Sequence, residues 1–133
     1  MRRVDARNRH EDGRISSKLF LDRGAQPSVH LERFAILRDI KRDRPETLFW
    51  LRINVGKIHR EGLGKVTHKP TSSDYSHCLI YNPEIEGIPL KNSQINKRKY
   101  KQSIGLLNIV TEKVELSNGD KVVSPFNTRN ETS

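Results

Sequence analysis

Residues 48–81 read LFWLRINVGKIHREGLGKVTHKPTSSDYSHCLIY and hold the only Trp, the only Cys and three of the five His. Thr47 to Ile53 is rich in aromatic and β-branched residues, which suits a buried strand. Asn54 can cap the next element, because its side-chain oxygen accepts from an amide left unpaired in a first helical turn. Val55 to Glu61 then makes one to two helical turns, with Val55 and Ile58 on one face. Gly62 supplies the left-handed stop such a helix uses. Leu63 to His68 resumes as a strand, and Pro70 with Thr71, Ser72, Ser73 and Asp74 makes a loop. His77 to Tyr81 is a second apolar run, readable as a strand or as a helix capped by Asp74.

Working outward, Ile15 to Leu21 has strand character, with Ile15, Leu19 and Leu21 inward. Asp22 to Pro27 is a turn. Ser28 to Ile36 begins as a strand through Val29 and Leu31, and Leu37 to Pro45 is an exposed helical turn or loop. Downstream, Asn82 to Pro89 is loop. Asn92 can cap a helix whose buried face takes Tyr100, Ile104 and Leu107, with Gly105 weakening its end. Ile109 to Leu116 alternates, Asn118-Gly119 is a hairpin signal, and Lys121 to Phe126 returns as the partner strand. Strands before, between and after helices predict a small α+β domain over 15–126. Its sheet is mainly antiparallel or mixed, with one or two short helices and a C-terminal β-hairpin. Leu48, Trp50 and Ile58 are its expected core. Residues 1–14, nearly free of apolar side chains, are expected as a flexible basic arm, and 127–133 as a polar tail.

The order of elements carries a resemblance. A helix ending at Gly62-Leu63, a strand ending at His68 with Pro70 behind it, and a polar loop leading to His77 resemble a group of small bacterial proteins of unknown function. Ser16, Ser17 and Phe20 are similar to the serine-then-aromatic opening of that group. The similarity spans 15–81 and departs at Asp74-Tyr75, where the group has Asn-Pro. It implies a bacterial chain and carries no activity.

At 133 residues the chain is one domain in size. Hydrophobic residues make up 33% and charged residues 31%, so the core is small and needs most of its Leu, Ile, Val and Phe, or a partner. One Cys excludes an internal disulfide framework and fits a reducing, cytoplasmic compartment. No apolar run is long enough to span a membrane, and no apolar stretch follows the basic N-terminus as in a signal peptide. The net charge of +9 is unevenly spread. Residues 1–44 carry 12 Lys/Arg against 7 Asp/Glu, residues 45–89 carry 5 against 5, and residues 90–133 carry 8 against 4. A neutral centre lies between two basic flanks.

Three kinds of chemistry fit these residues. Lys97, Arg98, Lys99 and Lys101 crowd around Tyr100 with no acid between Glu86 and Glu112. Several cations on one surface neutralise phosphates, and an aromatic among them stacks on a base or packs inward. With Arg2 and Arg3 in the basic arm, this predicts a small accessory protein that binds the backbone of DNA or RNA, beside a larger protein partner. The alternative use of the same cations is a solvated face. His68 and His77 flank one loop, and two imidazoles can serve as base and acid in a hydrolase or transferase. The favoured reading of the two is structural histidines bonded to loop carbonyls. A third reading is a structural subunit of a larger bacterial complex, its apolar surface marked by Trp50 or Phe126. His59, His68, His77 and Cys78 lack the paired spacing of a zinc site, so no metal is expected, and no cofactor motif occurs. Cys78, in an apolar run, reads as a small core residue.

Overall fold

Phe49 and Leu51 point to one side of a strand and Trp50 to the other, and each side has its own cover. The computed structural model describes residues 1–22 and 26–126. Its strands are β1 (Arg2–Asp5), β2 (Ser28–His30), β3 (Thr47–Arg52), β4 (Lys65–His68), β5 (His77–Tyr81), β6 (Glu112–Ser117) and β7 (Asp120–Pro125). Three helices, α1 (Leu37–Asp43), α2 (Val55–Arg60) and α3 (Asn92–Asn108), and two short 3-10 turns at Ala6–Asn8 and Glu32–Phe34 complete it. All pairings are antiparallel, in one sheet ordered β1-β3-β6-β7 and another ordered β2-β5-β4. The α+β expectation and its C-terminal hairpin hold, but the described residues form three helices, one of 17 residues, where the sequence predicts one or two short ones.

Strand β3 is central and therefore buried on both faces. Phe49 and Leu51 join Val4, Phe20, Ile58, Ile80 and Leu106 in the main core. Trp50 joins Leu37, Ile40 and Val114 under α1 in a second, smaller cluster. Leu48 shares Trp50's face by the two-residue repeat of a strand. It is not part of the cluster under α1 and is exposed. The expectation of Leu48 in the core is thus corrected, while Trp50 and Ile58 are buried. Trp50 and Phe126, expected to mark an exposed apolar patch, are both buried as well.

Residues 1–14 are no mobile arm. Arg2–Asp5 pairs with β3, setting Val4 opposite Phe49 and Arg3 opposite Trp50, and Val4 is fully buried. Few apolar residues suffice here because Arg2 meets its charge inside the fold. It makes a two-pronged pair with the Asp22 carboxylate, at 3.2 and 2.6 Å, and donates to the carbonyls of Leu19 and Ser28. Such a fork satisfies a guanidinium that composition alone assigns to solvent. The Met1 and His30 backbones exchange hydrogen bonds of 2.6 and 2.8 Å, joining β1 to the edge of the second sheet.

The central stretch follows its sequence. Asn54 Oδ1 accepts from the Lys57 amide at the start of α2, and Gly62 ends the turn with φ +65°. His77–Tyr81 is a strand, because its two flanking strands claim its backbone groups. Ile15–Leu21, by contrast, is a run of turns that buries Ile15, Leu19 and Phe20, with Leu21 only half-buried. Helix α3 runs unbroken through Gly105, and of its expected inward face Leu107 is buried and Ile104 half-buried, but Tyr100 is not. Gln102, Ser103, Leu106 and Leu107 are buried, whereas Tyr100 is exposed and its hydroxyl sits 2.9 Å from Ser17 Oγ. Asn118 and Gly119 both have positive φ, the two-residue turn that matches strand twist. Residues 23–25 of the expected turn and the polar tail at 127–133 lie outside the described residues.

Candidate anion-binding cleft

Two adjoining cavities, of about 590 and 420 Å³, open where β1, β2 and α1 meet. They share Arg3, Ser28, His30 and Arg44 in their walls. Alternation along β1 explains the arrangement, since adjacent strand residues face opposite ways. Arg2 turns toward Phe20 and the Asp22 carboxylate, where it is held structurally. Arg3 turns to the α1 side, toward Arg44, which caps that helix's C-terminal end.

The larger cavity gathers Arg2, Arg3, Arg7 and Arg44 against only Asp5 and Asp22. Asp22 is committed to Arg2, and burial, which raises its pKa, is outweighed by the hydrogen bonds and charge of Arg2 and by bonds from Ser28. Asp5 is held below the usual carboxylate range first by its hydrogen bond to Arg7. Arg3 makes only long contacts, 3.5 Å to Asp5 and 3.4 Å to both Glu46 and Thr47 Oγ1. Its pKa is lowered, chiefly by burial, which outweighs the raising charges of Glu46 and Asp5, with the charges of Arg44 and Arg2 adding a smaller push downward. An excess of guanidinium in a concavity is a field that an anion completes.

The smaller cavity changes character along its length. Beyond Arg3 and Arg44 its wall includes Phe34, Ile36 and Tyr75. Tyr75 is 61% exposed and stands edge-on to Phe34 and His68, with centroids 5.1 and 4.9 Å away. Phe34 stacks on His68, and the Arg33 guanidinium lies 4.5 Å over the Phe34 ring. The Tyr75 carbonyl, 2.6 Å from His68 Nε2, ties the cluster to β4. Three acids also face this cavity, and each is engaged. Asp39 and Asp43 pair with Arg42, and Asp74 holds His30 Nδ1 at 2.7 Å and Ser76 Oγ at 2.5 Å. His30 has a lowered pKa because burial outweighs the attraction of Asp74, so the neutral ring donates through Nδ1.

The expected His68/His77 centre does not assemble. His68 stands opposite Cys78 in the β4–β5 register, so His77, one residue before Cys78, points to the other face. Each imidazole instead meets a loop carbonyl at 2.6 Å, His68 that of Tyr75 and His77 that of Lys69. His77 lines the smaller cavity with His30, its partner across β2 and β5, and His68 does not. Cys78 is buried and its thiol is pushed up by burial, as a core cysteine. His59 Nε2 faces the Val66 amide at 3.3 Å.

The basic helix divides its cations. Lys97, Arg98 and Lys101 line a shallow groove with Gln94 and Glu84. Glu84, from the loop before α3, pairs with Lys101 at 3.5 Å, so a segment without acids in sequence gains one in space. Arg98 donates to the Glu84 carbonyl. Lys99 points the other way, toward the Asp22 carbonyl at 3.3 Å, beside the larger cavity. Sequence reasoning missed Arg44, Phe34 and His30. Their only signals are Arg44 closing α1 before Pro45, the Arg33-Phe34 pair, and the outward place of His30 between Val29 and Leu31.

Comparison of the chain with protein-family models, with characterised proteins and with solved structures finds no match. No helix among the described residues is long and apolar enough to cross a membrane. The cleft is therefore interpreted from its own chemistry.

Proposed function

We propose that this protein binds nucleic acid through the phosphate backbone. The observation that carries the reading is the excess of guanidinium over carboxylate in the larger cavity, with Arg3, only loosely paired to Asp5 and Glu46, and Arg44 in the wall it shares with the smaller one. Lys99 extends that basic surface to α3, whose far side adds Lys97, Arg98 and Lys101. Backbone contacts position a strand without reading sequence, so binding is weakly sequence-dependent and strongly salt-dependent. The test is fluorescence anisotropy with labelled DNA and RNA oligonucleotides, single-stranded and duplex, at several salt concentrations. Replacing Lys97, Arg98 and Lys101 with Gln should flatten the dependence of log affinity on log salt by about 0.7–0.9 per lost phosphate contact, with melting unchanged. Absence of wild-type binding to every oligonucleotide at low salt overturns the reading.

A further inference from the structure

We propose that the two adjoining cavities seat one unpaired nucleotide of a single strand, its phosphate between Arg3 and Arg44 and its base against Tyr75. The inference rests on the nucleic-acid reading above and narrows it from backbone tracking to single-strand recognition.

Three observations carry it. The guanidinium excess lies where the cavities meet, while the exposed aromatic lies farther along the smaller one, so charge and ring are separated as phosphate and base are. The smaller cavity, at about 420 Å³, is in the size range of small-molecule sites. The aromatic group is also built before any ligand arrives: Tyr75 is braced edge-on by Phe34 and His68, and Arg33 covers Phe34. Bracing fixes the ring at little further loss of conformational freedom, and a base stacks on such a ring irrespective of its identity.

Geometry selects the single strand over the duplex. A duplex keeps its bases stacked on each other and presents phosphates on a convex surface. A ring in a concave wall is reached only by a base already out of the stack. Asp39 and Asp43 stand at the smaller cavity and pair with Arg42. They disfavour a phosphate there and direct it to the Arg3 and Arg44 end.

The experiment uses the full chain and a short labelled strand of DNA or RNA, the matching duplex, and the same strand with abasic positions. Tyr75→Ala should weaken the single strand roughly 5- to 150-fold and leave duplex and abasic binding unchanged. Arg44→Gln should weaken the intact and the abasic strand alike. Tyr75→Trp provides a second measurement that does not depend on the alanine variant folding. Its added fluorescence over the wild type should be quenched by the single strand and not by the duplex. Unchanged single-strand affinity in Tyr75→Ala, or no quenching in Tyr75→Trp, overturns the inference. If the triple Gln variant on α3 still loses affinity in that case, backbone binding stands without it. If the wild type binds no strand, the broader reading falls first.

Discussion

Adjacent residues in a strand live in different environments, and Arg2 with Arg3, like Leu48 with Phe49, show how much that decides. Arg2 is tied to Asp22 and two carbonyls, whereas Arg3 keeps only long contacts in the wall of a cavity. Leu48 and Trp50 share one face of β3, yet only Trp50 lies under α1. Trp50→Ala should cost about 3–5 kcal/mol, because it opens a void beneath Leu37 and Ile40. Leu48→Ala, at an exposed position, should stay within about 0.5 kcal/mol. Urea denaturation of both variants checks the contrast, and equal losses would mean that α1 covers more of β3 than described. The Trp50 indole N–H, which has no partner among the described residues, marks that cluster as shaped by packing rather than by hydrogen bonding.

At the scale of elements, the approach of β4 to β5 depends on a missing side chain. A Cβ on Gly64 would fall 2.4 Å from Ile80 Cγ2 and 2.8 Å from the Tyr81 carbonyl oxygen. The Ile80 methyl is fully buried and the carbonyl belongs to a paired strand, so neither moves cheaply. Gly64→Ala should therefore destabilise by about 1–3 kcal/mol, although an alanine is favourable in most other settings. A thermal melt measures it, and a raised Tm would show that the second sheet can relax there. The same strand pair carries His68, and the loop joining its strands carries Tyr75, so the aromatic cluster of the cleft sits at the end of this pair. Helix α3 shows a different rule. Its buried stripe is made of Gln102 and Ser103 as well as Leu106 and Leu107, because Gln102 donates to the Leu63 carbonyl and Ser103 to that of Ser17. Polar side chains that satisfy backbone groups can occupy an inward face, and a count of apolar spacing, which finds Leu107, then misses Gln102 and Ser103.

For the whole molecule, acid should be the effective denaturant. His30 is held neutral by burial, so its folded pKa is below the unfolded one. Its contribution is present above about pH 6.5 and is lost as pH falls toward the folded value. Asp22, Asp74 and Glu32 have lowered pKa values, in each case because hydrogen bonds and opposite charges outweigh burial. Their contributions are present above about pH 4 and are lost as pH falls through the folded pKa values. The pairs they form tie distant parts together: Asp22 to Arg2, Asp74 to His30, and Glu32 to Arg52 and Lys121. Burial also lowers the Met1 amino group from 8.0 to about 6, so its contribution is lost over that range, and denaturation midpoints should decline from about pH 8 toward pH 5 and fall steeply below about 4. His30→Gln should lessen the first decline, leaving the part that belongs to the Met1 amino group, and keep the second. Stability that rises between pH 7 and 5 would show that the His30–Asp74 pair is ionised instead.

Local chemistry made much of the fold legible. The Asn54 cap, the Gly62 stop, the β3 strand and the Asn118-Gly119 turn each depend on a few consecutive residues and the backbone they favour, so the sequence alone determined them. The basic flanks and the core place of Cys78 were legible for the same reason. The cleft was not. It joins Arg3, His30, Phe34, Arg44 and Tyr75 from five separate segments, and none of these signals its neighbours along the chain. The Arg2–Asp22 pair that turns an apparent arm into a strand is another contact across chain distance. Strand alternation sent His68 and His77 to opposite faces, a consequence of register between β4 and β5 that no spacing within the loop contains. Only tertiary structure decided these features, because charge pairing, register and cavity walls depend on which distant segments lie side by side.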